Sequence, residues 1–203
     1  MNDLIEAIEH DSLVRIRKIC KSGIDLTTPI DMGIEYELED PDETTILFYA
    51  IRKYASIEAI EILLEYGVDI REVDDDGLSA IDVAIKFKRE DVIRLCIEKG
   101  LDVNDTHRKS GITPIILSAC FNNIKIAKLL IDNGADINSK DYGGMSVKDY
   151  AKKLGQNKML EFLQEIGAKH NLYPDEVVVK KDEVQFDMKN RAKPDDDMGF
   201  DSI

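Results

Sequence analysis

The sequence is poor in cysteine. Three cysteines, Cys20, Cys96 and Cys120, stand among 203 residues. Their odd number and their spacing argue against both a disulfide framework and a structural metal site. The N-terminus lacks a basic segment followed by an apolar one, and no apolar run approaches the ~18 residues that a membrane helix needs. The sequence therefore predicts a reduced, cytoplasmic protein with no signal peptide and no membrane span.

The motifs of common catalytic and cofactor sites are also missing. The chain has no Gly-x-Ser-x-Gly, no phosphate loop ending in Lys-Ser/Thr, no His-Glu-x-x-His and no Cys-x-x-Cys. The three histidines, His10, His107 and His170, lie far apart in the sequence. The acidic run 74–76 falls in a predicted turn, where Asp accepts local backbone hydrogen bonds. We therefore predict no catalytic residue, no metal ion and no cofactor.

What the chain does contain is a repeat. Gly-x-Asp followed by Ile, Leu or Val begins at Gly23, Gly67, Gly100 and Gly134, and a final Gly167-Ala follows. After a first interval of 44 residues, the glycines are 33 or 34 residues apart. This period is typical of stacked helical arrays, in which no unit can bury its apolar face alone. Such arrays point to binding rather than catalysis.

Each unit carries the signals of two helices. Ser79, Thr113 and Ser146 follow turns and are placed to cap a first helix, and Pro114 suits the first helical position because its missing N–H costs nothing there. A second apolar run then recurs at helical spacing. The repeated glycine ends it, because the left-handed conformation that closes a helix is favourable for glycine. The pattern predicts a helix pair in every unit.

At these residues the chain resembles a known family. Gly111-Ile-Thr-Pro-Ile-Ile-Leu-Ser-Ala, with Ile-Ala-Lys-Leu-Leu-Ile-Asp-Asn-Gly-Ala-Asp-Ile-Asn after it, resembles an ankyrin repeat. The resemblance implies an all-α fold, an ankyrin-repeat solenoid of stacked helix pairs with hairpin loops, an extended first hairpin and a non-repeat C-terminal tail. The first unit is more polar, as an end repeat must be. The array is expected over residues 1–168, with repeats at about 1–23, 24–67, 68–100, 101–134 and 135–168.

The surplus of the first interval falls in one hairpin. Ten extra residues precede Glu43, within the stretch 28–42. In this stretch, apolar residues alternate with glutamates in the order Ile34, Glu35, Tyr36, Glu37, Leu38, Glu39. Alternation of period two predicts a strand with one acidic face. We expect residues 28–42 to protrude as an acidic finger.

The second unit departs from the others more subtly. Ala50 and Gly67 are 17 residues apart, whereas the corresponding pairs in later units are 16 apart. One extra residue must therefore be accommodated around residues 53–56. In the second helices, Leu64 and Leu130 fall on the apolar stripe and are predicted to lie in the core.

The charge is unevenly distributed. Residues 24–43 hold eight acidic and no basic residues, and residues 170–203 hold nine acidic and five basic ones, so these two segments carry most of the net charge of −14. One interpretation is a solvated loop and tail. The other is a surface that attracts a basic partner over long range. Nucleic acid is disfavoured, because a phosphate backbone requires clustered Lys and Arg.

The resemblance implies that binding residues come from the hairpin tips and from the ends of the first helices, on the concave side. The same register places Arg52, Lys53, Lys86, Lys153 and Leu154 at those helix ends. Aromatic anchors ringed by charge are typical of binding hot spots. Alternatively, Phe87 and Phe121 pack between units, and burial of both would weaken the groove hypothesis. The predicted partner-binding residues are Glu35, Tyr36, Glu37, Glu39, Asp42, Asp75, Asp76, Leu78, Phe87, His107, Lys109, Ile112, Phe121, Tyr142 and Met145.

Residues 169–203 do not continue the repeats. Residues 176–186 have the pattern of a strand, and we expect the remaining acidic segment to be disordered. Together these features predict a non-catalytic interaction module, monomeric when free. It would bind and inhibit a basic partner protein, as immunity proteins and antitoxins do, through the acidic hairpin and the concave groove. The alternatives are an effector or adaptor that tethers another protein, and an accessory factor that delivers a cofactor to an enzyme.

Overall fold

The computed structural model describes residues 1–31 and 43–173. Within these ranges the chain forms five consecutive helix pairs and one two-stranded ribbon, which confirms the all-α solenoid. The strands are β1 (Ile30–Asp31) and β2 (Glu43–Thr44). The helices are α1 (Asn2–Glu9), α2 (Leu13–Lys21), α3 (Ile46–Arg52), α4 (Ile57–Glu65), α5 (Ala80–Lys86), α6 (Glu90–Glu98), α7 (Pro114–Cys120), α8 (Ile124–Asp132), α9 (Val147–Lys153) and α10 (Asn157–Glu165).

The two helices of a pair are buried to different extents. The first helices stack in a row, in which α5 packs against α3, α6 and α7, and every residue of α5 from Ala80 to Ile85 is buried. The second helices bury one face only, as their amphipathic sequences require. Small residues such as Ala84, which is fully buried, allow the paired helices to approach closely. The result is a double layer of helices around one elongated core.

The core is a single cluster that runs the length of the array. Leu130 is fully buried, as the sequence predicts, and so is Leu63 at the same position of α4. The prediction for Leu64 was wrong, because Leu64 is only half-buried. One residue further along a helix is a rotation of about 100°, which turns the Leu64 side chain from the core toward the surface. Ile131 of α8 has the same intermediate burial.

The helix caps follow the sequence with one exception. Ser79 and Ser146 each accept a hydrogen bond from the backbone N–H three residues on, and Asp82 and Asp149 reciprocate in two capping boxes. Thr113 makes no such bond. Its hydroxyl lies 2.9 Å from that of Ser139 in the next hairpin, so it links two units instead of capping α7.

The repeated Gly-x-Asp has a structural role at both residues. All five repeated glycines have positive φ, from +78° at Gly167 to +101° at Gly67, just after a second helix. The aspartate then accepts from the backbone N–H two residues on, as in Asp69 to Arg71 at 2.9 Å and Asp102 to Asn104 at 2.8 Å. The glycine ends the helix and the aspartate begins the hairpin, which explains their fixed spacing.

The extra residue of the second unit lies in the loop between α3 and α4. This loop has four residues, whereas the loop between α5 and α6 has three. Ala55 is fully buried in it, and its carbonyl accepts from Arg89 Nη2 at 2.8 Å. Arg89 is itself 6% exposed and pairs with Asp91 at 2.7 Å. A buried guanidinium from the next unit therefore satisfies a buried backbone carbonyl of the longer loop.

The segment after the last repeat is anchored by Asp149, which is fully buried. The Asp149 carboxylate accepts from the backbone N–H groups of Asn171, Leu172 and Tyr173, and His170 Nδ1 lies 3.0 Å from it. Burial tends to raise the pKa of Asp149, but the backbone hydrogen bonds outweigh burial and lower it well below the usual range. Residues 170–173 thus lie across the first helix of the last unit.

The cysteines lie in the core or next to it. Cys20 and Cys96 are buried, Cys120 is half-buried, and all three are free thiols. Burial raises the pKa of Cys96 to about 12, and it also raises the pKa of the Cys20 and Cys120 thiols. These thiols stay protonated near neutral pH and have little nucleophilic character.

Candidate partner-binding surface

The insertion begins and ends at a pair of short strands, its base. β1 and β2 are antiparallel, with Ile30 opposite Thr44 and Asp31 opposite Glu43. Ile30 is 2% exposed and fixes this base to the core. The predicted site residues Glu35, Tyr36, Glu37, Glu39 and Asp42 lie outside the described residues, as does the predicted strand 176–186.

A cavity of about 240 Å³ lies beside this base. Acidic residues of two neighbouring hairpins dominate its lining, and we name the site the acidic notch. Asp74 supports the tip of the second hairpin, because its Oδ1 accepts from the backbone N–H groups of Asp76 and Leu78 at 3.0 and 2.8 Å. Asp75 and Asp76 are exposed at that tip. The lining residues are Pro29, Glu43, Thr44, Thr45, Val73, Asp74, Asp75 and Asp76.

One basic residue among the predicted binding residues, Lys109, contacts the acidic notch. Lys109 Nζ lies 3.4 Å from Asp76 Oδ1, and both side chains are more than 70% exposed. An exposed pair of this kind contributes little to stability, about 0–1 kcal/mol. One lysine faces the four carboxylates of Glu43 and residues 74–76, so the notch keeps an excess of negative charge.

The hairpin tips stack closely on one another. A Cβ at Gly77 would meet the His107 carbonyl, and one at Gly111 would meet the ring of Tyr142. Both glycines also have positive φ, +76° and +73°, so each position requires glycine twice over. Tyr142 donates its N–H to the Ser110 carbonyl at 3.0 Å, and its side chain is 77% exposed. The tips thus form one continuous edge that displays Tyr142.

The two predicted aromatic anchors of the groove differ. Phe87 is half-buried and meets the ring of Tyr54 edge-on at 6.5 Å. The cations of Arg52 and Lys86 lie 5.7 and 5.9 Å from its ring centre, within the range of cation–π attraction. Phe121 is 37% exposed at the same position of α7. Phe87 therefore packs between two units, and Phe121 is the aromatic that the groove presents to solvent.

Three other apolar candidates lie below the tips. Leu78, Ile112 and Met145 each lie two residues before a first helix, and each is half-buried. Leu78 and Ile112 pack against the core. His107 is exposed, with Nε2 3.3 Å from an Asp105 carboxylate oxygen. The structure thus brings His107, Lys109 and Asp76 to the hairpin edge. The three apolar residues lie beneath that edge.

The concave surface differs in charge between the hairpin edge and the ends of the first helices. The hairpin edge is acidic at the notch, whereas the C-terminal ends of α3, α5 and α9 carry cations. Lys53 pairs there with Glu9 at 3.1 Å, and Tyr49 donates to the same carboxylate at 2.6 Å. Cations are favoured at helix C-termini, because the helix dipole is negative there. The basic residues in the last turns of these helices are visible in the sequence, and they are Arg52, Lys86, Lys152 and Lys153.

Comparison with known proteins identifies the family. The family model for ankyrin repeats in three copies matches residues 4–107 and 104–173. The chain belongs to the ankyrin-repeat family. Ankyrin repeats are a protein–protein interaction fold, and this chain is accordingly an interaction module.

Curated relatives match the chain with low identity. A putative ankyrin repeat protein of Acanthamoeba polyphaga mimivirus is 25% identical over 60% of the chain. The mouse B-cell lymphoma 3 protein homolog is 30% identical over 52% of it, and the chicken nuclear factor NF-kappa-B p105 subunit is 32% identical over 97%. The matched parts are 16, 24 and 19% of those proteins, so the chain spans less than a quarter of each.

No helix in residues 1–31 and 43–173 has the length and apolar character needed to cross a membrane. The same ranges contain no group of three or more His, Cys, Asp or Glu residues arranged to hold a metal ion.

Proposed function

We propose that the chain is a non-catalytic module that binds a basic partner protein and inhibits it, as an immunity protein or antitoxin does. The observation that carries this proposal is the acidic notch at the base of an acid-rich insertion. Residues 32–42 contain five acidic and no basic residues, and they join the two strands of the base. Glu43 and residues 74–76 add four more carboxylates next to that base.

Charge of one sign on one edge acts on the rate of association. A basic partner is attracted over roughly a Debye length, about 8–10 Å at physiological salt, and is oriented before contact. Solvation alone does not require that acids of two hairpins converge on one cavity. The acidic finger and the notch are therefore assigned to capture the basic surface of the partner.

Exposed aromatic and apolar side chains supply the contacts that hold the complex. Phe121, Tyr142 and Leu154 are 37, 77 and 50% exposed. Large rigid side chains of this kind contribute most of the binding energy in protein interfaces. Inhibition then follows if the basic surface held by the finger is the one that the partner uses for its own substrate.

An affinity capture from the cells that produce the protein tests this function. The full chain is compared with a variant in which Asn-Gly replaces residues 32–42. This turn suits a two-residue hairpin between Asp31 and Glu43 and leaves the buried Ile30 in place. The expected result is a basic protein that the full chain retains and inhibits and that the variant loses. Capture of an acidic partner, or equal retention by the variant, would contradict the proposal and favour an adaptor.

A further inference from the structure

The convex side of the array has a groove of its own. It lies between the second helices of the first two units, α2 and α4, and has a volume of about 610 Å³. The corresponding cavity between α6 and α8 measures about 110 Å³. We name the larger one the α2/α4 groove. Its lining residues are Leu13, Val14, Arg17, Lys18, Lys21, Glu58, Glu61, Ile62 and Glu65.

The α2 side of the α2/α4 groove carries an apolar residue at a position that is charged in the other second helices. Val14 is the second residue of α2 and is 82% exposed. The second residues of the other second helices are Glu58, Asp91, Lys125 and Lys158. Leu13 is 36% exposed beside Val14, and Ile62 closes the floor. An exposed valine at a position that is otherwise charged does not stabilise the free chain. Covering it with an apolar surface of a partner would stabilise the complex.

The two rims of the groove carry opposite charges. Lys18 and Lys21 stand on the α2 side, and Glu58 and Glu61 on the α4 side. Arg17 Nη1 and Glu65 Oε2 meet across the groove at 2.6 Å, with both side chains about half exposed. A ligand that lies along the groove therefore meets cations on one side and carboxylates on the other.

We propose that the α2/α4 groove docks an amphipathic helix of a partner protein. The apolar stripe of that helix covers Leu13 and Val14, its acidic side faces α2 and its basic side faces α4. α2 and α4 are nine residues each, so the groove is about 14 Å long. About two and a half turns of a partner helix span this length.

A synthetic peptide of about 18 residues provides a defined probe, with an apolar stripe flanked by Glu on one side and Lys on the other. Its control has the same composition, with both signs mixed on both sides. Circular dichroism must show equal helicity, and fluorescence anisotropy measures binding to the full chain. We expect the two-sided peptide to bind at least about tenfold more tightly than the mixed one. Equal binding, or no binding at about 1 mM peptide, would overturn the proposal.

Three variants of the chain locate the site. Val14→Glu gives α2 the residue that α4 carries at this position and should weaken binding about tenfold, whereas the matched change Lys125→Glu on α8 should leave it unchanged. Lys18→Glu with Lys21→Glu makes both rims acidic and should weaken binding. Adding Glu58→Lys and Glu61→Lys should restore it, because the peptide can then lie in the opposite direction. Binding that ignores Val14→Glu would place the peptide elsewhere and refute the docking site.

Discussion

The helix layers and the hairpin edge of this array are held by different interactions. The helix layers share one apolar core that extends from Leu4 in α1 to Leu163 in α10. The hairpins are held by aspartate oxygens that accept from nearby backbone N–H groups, as at Asp74 and Asp141. Stability therefore resides mainly in the helices, so the hairpin edge is free to carry charge and aromatic groups for binding. Substitutions in the two regions should therefore affect different measurements.

The largest expected effect lies in the helix layer. Leu130→Ala should lower the free energy of unfolding by about 2–5 kcal/mol, because it empties a fully buried site. Leu64→Ala is the matched control and should cost less, since Leu64 is half-buried. Urea unfolding measures both. A loss below about 0.5 kcal/mol for Leu130→Ala would show that the core register is wrong.

A smaller effect is expected where a carboxylate is buried within the helix layer. Asp149→Asn should weaken the attachment of residues 170–173, because the amide carries no charge for the backbone N–H groups that it faces. A lost charge-assisted hydrogen bond costs about 1–3 kcal/mol. Hydrogen exchange at Asn171, Leu172 and Tyr173 should accelerate, whereas the exposed control Asp132→Asn should leave it unchanged. Unchanged exchange rates in Asp149→Asn would show that Asp149 does not anchor residues 170–173.

Acid should reproduce part of the Asp149→Asn effect. The pKa of Asp149 is lowered in the folded chain, so its contribution to stability is fully present above the unfolded pKa of about 3.9. It is lost as the pH falls from there through the lower folded pKa. Between about pH 5 and pH 3, the stability difference between the wild type and Asp149→Asn should shrink. A difference that grows on acidification would contradict this sign.

The smallest effect on stability is expected in the concave groove. Phe121→Ala removes a side chain that is 37% exposed and should change the free energy of unfolding by about 0.5 kcal/mol or less. Its effect on binding should be large, about 2 kcal/mol and mainly in the dissociation rate, if Phe121 is a hot spot. Surface plasmon resonance with the captured partner separates the two rates. A large loss of stability without faster dissociation would place Phe121 among the structural residues.

Local signals account for what the sequence predicts correctly. The repeated glycines, the capping serines and the apolar stripes act within one unit, so the helix pairs and their ends could be predicted. Apart from the position of Leu64 around its helix, what the sequence did not show lies where neighbouring units meet. Thr113 bonds to the next hairpin, and Arg89 satisfies the carbonyl of Ala55 in the preceding unit. The acidic notch likewise joins residues of two hairpins, and no linear pattern shows which side chains converge there.

The salt dependence of association tests the central claim most directly. Stopped-flow mixing with the captured partner compares the wild type with a variant that carries Glu35→Gln, Glu37→Gln and Glu39→Gln. The matched control removes three charges from the second helices, with Asp132→Asn, Glu161→Gln and Glu165→Gln. We predict that the finger variant associates more slowly at low salt and with a flatter salt dependence, and that the control resembles the wild type. Equal slopes for all three proteins would contradict capture of a basic partner by the acidic finger.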